Sequence, residues 1–518
     1  MAVRKQSMNE GILFTKKDER ISELLQCFHE IWDLQMLGML AYWDQQTTMP
    51  RGANEARMYQ MATLKGIIHE RLIVPRLGEL LKELDDIVKQ DFFTDADRGL
   101  VRQAYHLYQR ETKLPRTLVE EIAQVQVIAT ESWIRARQQN DFAIFAPWLK
   151  RTVDLQREVA ERIGFAETRY DALLNEYEPE MTATRIQELF APVRTVSMSI
   201  LRYIQLSGKK LDTSCLYGSF PIERQQVLSE KIASNIGYDF TRGQITRSAH
   251  PFTTDYTAPA DVRFTVRSTE RNLLPLLMSS LHESGHALYE QGNAWILMRT
   301  PLAGGASRGI HESQARLWEN VLGRSEAFWK GKYALLCEIF PEYFKMVDVM
   351  TFVHALNNVE PSPIRIEADE VSYNLHILIR FELEKALVDG DIAVESLPSL
   401  WKAKYREYIG IEPESDVVGV LQDVHWTKGF GSFPSYMLGN LYAAQIFQKL
   451  SREFPDYDQR LASGDTMFIL QWLHKHLYAS GAIYLPQELM IRLTGESTNS
   501  QHFVRYLTDK FQKLYSQE

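Results

Sequence analysis

Leu273-Leu274-Pro275-Leu276-Leu277-Met278-Ser279-Ser280-Leu281-His282-Glu283-Ser284-Gly285-His286-Ala287-Leu288-Tyr289-Glu290-Gln291-Gly292 reads as one helix carrying a chemical site. Leu273, Leu274, Leu277, Met278, Leu281 and Leu288 recur at helical spacing, Pro275 suits a first turn, and Gly292 follows the last periodic residue as a stop. On that helix His282 and His286 lie about 6 Å apart along the axis and little more than one turn round it, so both imidazoles can reach one Zn²⁺. Glu283 points about 100° away from His282, beside such an ion, where a carboxylate can take a proton from a metal-bound water. A helix of this length, apolar on one side and carrying His-Glu-x-x-His, makes the chain a mainly α-helical protein with a metal centre.

Outward from this stretch the helical text continues. From Glu19 to about Leu206, stripes such as Ile21, Leu24, Leu25, Phe28, Ile31 and Trp32 recur at three-and-four spacing, with further stripes in Leu64 to Val88 and Thr117 to Arg137, all expected to face a core. Between Gln244 and Val266 the residues turn rich in Thr, Val and aromatics, which predicts a small β-hairpin or sheet beside the metal helix. An exposed edge over Asp261 to Val266 would offer an extended peptide a strand to pair with. Helices then return to the C-terminus, interrupted near Thr300 to Arg308, Glu360 to Ile364 and Lys428 to Pro434. No linker or repeat divides the 518 residues, so one large unit, 1–518, is expected, with a helical N-terminal lobe over roughly 1–240 and a metal-site lobe over 241–518.

Composition narrows the function. Acidic residues outnumber Lys plus Arg by 67 to 58, and the net charge of -9 is spread along the chain, so nucleic acid and anionic membrane are not expected partners. No apolar run approaches the roughly 18 residues of a membrane span. Three widely separated cysteines, Cys27, Cys215 and Cys337, suit a reduced, cytoplasmic protein.

A third metal ligand has to come from outside the helix. The metzincin continuation is excluded because Tyr289 and Gly292 stand where Gly and His are required. Glu290 is about 12 Å from His282 along the axis, too far to share an ion. The next candidate is His311-Glu312-Ser313-Gln314, after a loop with Gly304, Gly305 and Gly309 that lets a second helix fold back. Glu312 is the favoured ligand, His311 its competitor and Glu319 a weaker third. His-His-Glu plus water is an open, catalytic type of zinc site. Further downstream, Arg365 follows two prolines at the expected start of a helix. Asp423, His425 and Tyr436 sit around a Gly-containing loop that could supply electrophilic groups.

Taken together, these motifs resemble the carboxypeptidase Taq family of thermostable metallocarboxypeptidases. The resemblance runs through Trp43-Asp-Gln-Gln-Thr-Thr-Met-Pro50, His250-Pro-Phe252, Asp261-Val-Arg263-Phe-Thr265, His282-Glu283-x-x-His286, His311-Glu-Ser-Gln314, Ile364-Arg365-x-x-Ala368-Asp369 and Gly419-x-x-Gln422-Asp423-x-His425-Trp426. It implies a mostly helical fold with a long substrate groove and a small sheet beside the site, a homodimer, and one divalent ion per chain, Zn²⁺ or Co²⁺. It implies that His282, His286 and Glu312 bind the metal, that Glu283 activates water, and that Arg365 holds the substrate's terminal carboxylate. It further implies that His425 and Tyr436 act at the scissile region, with His250, Arg263 and Asp423 as other substrate contacts. The expected activity is broad-specificity removal of C-terminal residues from peptides with a free carboxylate. A metallo-endopeptidase or oligopeptidase with the same metal chemistry is the nearest alternative. A helical scaffold without activity would have no use for a base and three ligands in register. Two positions depart from the family pattern: Ser432 where a tyrosine is usual, and Arg308 where an apolar residue is usual.

Overall fold

A computed structural model describes residues 13–15, 18–254 and 257–516. It is 69% helix and 2% strand, with one two-stranded sheet among the described residues.

The chain forms two compact units. The first comprises Met1–Thr112, Thr213–Leu356 and Ile446–Ser497, the second Lys113–Asp212, Asn357–Gln445 and Thr498–Glu518. Each is assembled from three separated stretches rather than from residues 1–240 and 241–518. Packing between distant helices, not chain order, sets this division: the C-terminal helix Gln501–Tyr515 packs on Ala183–Ser207, and the segment Tyr478–Ser480 packs on Leu274–Gly292.

In the first unit, Asp18 caps the helix Glu19–Thr47 by accepting from Arg20 N, and the helix buries Ile21, Leu24, Phe28 and Ile31 at the spacing that one face requires. That face meets Leu77, Leu80, Leu81 and Leu84 of the helix Pro75–Ile87 and Leu100, Val101 and Ala104 of the helix Asp95–Lys113, each buried leucine contributing about 2 kcal/mol. The stripe expected over Leu64 to Val88 is two helices. Val74 is extended (φ -59, ψ 134) before Pro75, as the proline ring demands of its predecessor. The preceding helix, Asn54–Leu72, buries only Leu72, so that half of the stripe does not face a core.

The strand pair is parallel, β1 (Ile245–Arg247) beside β2 (Phe264–Val266), with Ile245 opposite Phe264, and so is not a hairpin. The connecting segment returns antiparallel along the far side of β2: Thr254 N donates to Arg263 O (2.8 Å) and Thr265 N to Phe252 O (2.9 Å). All three β2 residues are buried. Both edges are therefore occupied, and β2 offers no edge for a peptide. β2 instead packs directly on the helix Leu274–Gly292, which places the sheet beside the His-Glu-x-x-His segment.

In the second unit, the helix Ser372–Asp389 is buried almost all round, packed by Ala146–Ile163, Arg169–Asn175, Ala183–Ser207 and Leu397–Tyr408. Arg365 lies in a 3₁₀ turn, Arg365–Glu367, and not at a helix start; the α-helix begins at Ser372, whose N–H is held by Asp369 Oδ1 at 2.8 Å.

Candidate active site

The His-Glu-Ser-Gly-His helix starts as expected, with Pro275 in its first turn, and runs to Gly292. The next long element, Arg308–Arg316, is capped by Ser307, whose hydroxyl accepts from Ile310 N at 3.0 Å. Gly285 fixes how closely the two helices meet. A Cβ there would lie 2.4 Å from Gln314 O and 2.7 Å from Ala315 Cα, so any side chain would force the helices apart.

This approach brings three ligand-type residues together. His282, His286 and Glu312 each offer one atom, all within 4.8 Å of one another. Glu312 Oε2 lies 3.5 Å from His286 Nε2 and 3.9 Å from His282 Nε2. The remaining polar atom of each residue is engaged elsewhere. His282 Nδ1 is 2.8 Å from Glu319 Oε2, His286 Nδ1 is 2.6 Å from His311 Nδ1, and Glu312 Oε1 accepts from Arg316 Nε at 2.7 Å. One converging donor atom per residue is left, two imidazole nitrogens and a carboxylate oxygen, a donor set that suits a catalytic divalent site. His311 and Glu319 lie behind these three residues as hydrogen-bond partners of His286 and His282. Glu319 belongs to a π-helical turn, Leu317–Leu322, a local widening that sequence periodicity does not reveal.

The electrostatics follow from burial and charge. Burial disfavours a charged His282, but Glu312 and Glu319 more than offset this and raise its pKa to about 9. For His286 burial prevails, assisted by His311 and His282 against the pull of Glu312, and the pKa falls to about 3. Burial would raise Glu312, yet Arg316 and His282 hold it well below the usual carboxylate range. The arginine paired with Glu312 is thus Arg316, one turn after it; Arg308, one turn before, is exposed.

Glu283 is buried, and Thr253 Oγ1 lies 2.8 Å from its Oε2 and 3.1 Å from its backbone oxygen. Thr253 is carried by the segment that covers the far side of β2, so the sheet positions the carboxylate. Arg263 forms a two-pronged pair with Asp261, 2.7 Å at each nitrogen, and its guanidinium lies 5.9 Å from the Trp43 ring. Trp43 packs on Phe252 at 5.5 Å, which links the Trp43 and His250-Pro-Phe252 motifs. His250 itself is exposed.

The second unit gathers the other expected residues. Asp423 Oδ1 accepts from Arg365 Nε and Nη2 (3.0 and 2.8 Å), and Oδ2 from Arg380 Nε (2.6 Å). Both oxygens of Asp423 thus hold arginine side chains in place. Burial opposes its charge, but Arg365 and Arg380 hold its pKa far below the usual range. Phe433 lies 5.5 Å from the Arg365 guanidinium and 5.6 Å from that of Arg380. His425 Nε2 is 3.4 Å from the Tyr436 hydroxyl, and the Tyr436 ring is 5.5 Å from Arg365. Ser432 is half-buried in the loop between them.

That loop is tied down by a carboxylate with no mark in the sequence. Glu384 Oε1 accepts from Trp426 Nε1 (2.9 Å), and Oε2 from Tyr170 Oη (2.9 Å) and Gly431 N (3.2 Å). Burial raises its pKa, the three donors and Arg380 pull it back, and it stands at about 7. The folded protein therefore holds a proton here that the unfolded chain releases near pH 4.5, so this contribution to stability is full below that pH and is lost as pH rises through about 7. Glu384→Gln is expected to remove that slope, on the order of 3 kcal/mol between pH 4.5 and 8. Urea unfolding of both proteins across this range measures it, and parallel pH profiles would refute it.

The carboxypeptidase Taq (M32) metallopeptidase family matches residues 23–511. Thermostable carboxypeptidase 1 of Thermus thermophilus is 41% identical over 504 residues, 95% of this chain and 98% of that protein. Carboxypeptidase 1 of Bacillus subtilis is 37% identical over 479 residues, 92% of this chain and 95% of its own. The crystal structure of an M32 carboxypeptidase from Deinococcus radiodurans R1 superposes with a TM-score of 0.92 at 35% identity, covering 96% of this chain and all of that one. With sequence, fold and metal-ligand geometry in agreement, the chain belongs to the carboxypeptidase Taq (M32) family and is a metallocarboxypeptidase.

Proposed function

We propose that the enzyme removes C-terminal residues one at a time from peptides with a free terminal carboxylate, with broad specificity. The observation that carries this reading is the convergence of His282, His286 and Glu312 with buried Glu283 on the same helix. Those three residues would hold one divalent ion, Zn²⁺ or Co²⁺, which supplies Lewis acidity toward a carbonyl oxygen and acidifies water. Glu283, steadied by Thr253, takes the proton of the attacking water and returns it to the leaving amine. Arg365, oriented by Asp423, receives the terminal carboxylate. The imidazole of His425 and the hydroxyl of Tyr436 donate to the scissile region, and Arg263 and His250 contact the body of the peptide. The active assembly is a homodimer acting in the cytoplasm, and sedimentation tests the dimer.

Mass spectrometry of a synthetic peptide and of its C-terminal amide tests the function. The expected result is a ladder shortened from the C-terminus for the free acid only, abolished by chelator and restored by Zn²⁺ or Co²⁺. Cleavage of the amide at equal rate, internal cleavage, or full activity in metal-free protein would refute it, internal cleavage favouring an endopeptidase.

A further inference from the structure

His311 lies between a metal-ligand histidine and a carboxylate. Its Nδ1 is 2.6 Å from His286 Nδ1, and its Nε2 is 2.8 Å from Glu290 Oε1. The ring centroids of His286 and His311 are 4.7 Å apart and the planes inclined by 30°; with the two Nδ1 atoms 2.6 Å apart, that centroid separation requires the nitrogens to face each other nearly in the ring planes. Glu290 is four residues after His286 on the same helix and is 1% exposed.

We infer that His311 and Glu290 are positioning residues that fix His286 in the tautomer with its proton on Nδ1, leaving its Nε2 lone pair for the metal. This rests on the reading of His286 as a ligand. Only one proton fits between two nitrogens 2.6 Å apart. A neutral His286 that presents Nε2 to an ion carries its proton on Nδ1 and donates it to His311 Nδ1. His311 must then accept at Nδ1, so its own proton sits on Nε2, facing the carboxylate oxygen of Glu290. Every link in the chain is then a donor facing an acceptor.

The opposite order of neutral rings fails at both ends. His311 Nε2 would turn a lone pair toward the Glu290 oxygen, acceptor against acceptor in a buried place. His286 Nε2 would carry a hydrogen where the ion has to sit. Glu290 thus sets the direction of a two-bond chain that ends on the metal ligand, whereas His282 has its carboxylate, Glu319, in direct contact. This gives His311 a task other than ligation, and it gives Glu290 a place in the centre although it is too far along the helix to touch the ion.

The test uses the full chain with Zn²⁺ alone as probe, its affinity measured by competition with a chromophoric chelator. His311→Phe keeps a ring but removes the acceptor, and is expected to weaken zinc binding about 10- to 100-fold. His311→Asn places a carbonyl oxygen near the Nδ1 position and is expected to stay within about threefold of wild type, because an amide oxygen accepts the His286 proton. Ring-¹⁵N histidine NMR of the zinc-loaded wild type is expected to show His286 protonated at Nδ1 and metallated at Nε2, assigned with His286→Gln. Equal affinities for His311→Phe and wild type, equal losses in both variants, or zinc on His286 Nδ1 would overturn the inference. Should the Phe variant fail to fold, the wild-type spectrum and the Asn variant still decide. Wild type that binds no zinc would overturn the ligand reading itself, a result distinct from zinc binding that ignores His311.

Discussion

Glu283→Gln is expected to lower kcat by roughly 10²- to 10⁴-fold while the protein keeps its full complement of metal, the range that removal of a positioned general base produces. Glu283 Oε2 meets the Thr253 hydroxyl at 2.8 Å, which holds the carboxylate in place while it takes the proton. In the amide, a carbonyl oxygen can still meet Thr253, so the side chain keeps its place, but the NH₂ group cannot take a proton from water. Because Glu283 is not one of the three converging residues, metal content, measured by plasma mass spectrometry, separates loss of the base from loss of the ion. Loss of metal with activity would place Glu283 among the ligands, and kcat within tenfold of wild type would require another base.

What the sequence made legible is what local geometry dictates. The spacing of His282 and His286 on a helix needs only the rise and turn of that helix, and the structure places both imidazoles where the spacing puts them. Glu312 was reachable because a glycine-containing loop and a second apolar stripe follow, and it does converge with the histidines. The partners behind the ligands were not reachable. Glu319 meets His282 because a π turn shifts the helix after Arg316, and His311 turns to His286 because Gly285 admits the second helix so closely. Both depend on distances between helices that no periodicity encodes. The four-residue steps from His286 to Glu290 and from Glu312 to Arg316 were the available signals, and each reads equally well as a surface pair.

The strand pair shows the opposite failure. Alternating Thr, Val and aromatic residues identified a sheet beside the metal helix, which is present, but composition does not tell a parallel pair from a hairpin. The segment carrying Thr253 fills the edge that would otherwise be open. The same filling gives Glu283 its hydroxyl partner, so the covered edge holds a buried carboxylate rather than a peptide backbone.

Arg365→Ala is expected to lower kcat/KM for peptides with a free carboxylate by about 10²- to 10³-fold, with much less change for their amides, since removing one partner of a desolvated charged contact costs roughly 2 to 5 kcal/mol. The local charge count supports the size of the effect. Arg365 and Arg380 carry two positive charges and share one carboxylate, Asp423, whose two oxygens they divide between them. One positive charge in this trio is therefore uncompensated by Asp423, in a place where Arg365 is 8% exposed and Arg380 fully buried, and a substrate carboxylate would balance it. The aromatic faces of Phe433 and Tyr436 beside Arg365 keep its plane fixed, which favours two-pronged recognition of a carboxylate. Arg365→Lys retains charge but not the planar fork, so an intermediate loss is expected. Removing Arg365 also leaves Asp423 with Arg380 alone, and any resulting loss of stability lowers activity toward both substrate types alike. The ratio of the acid and amide values is accordingly the quantity to measure. A ratio unchanged by either substitution would show that the terminal carboxylate is held elsewhere and that Arg365 serves only to neutralise Asp423.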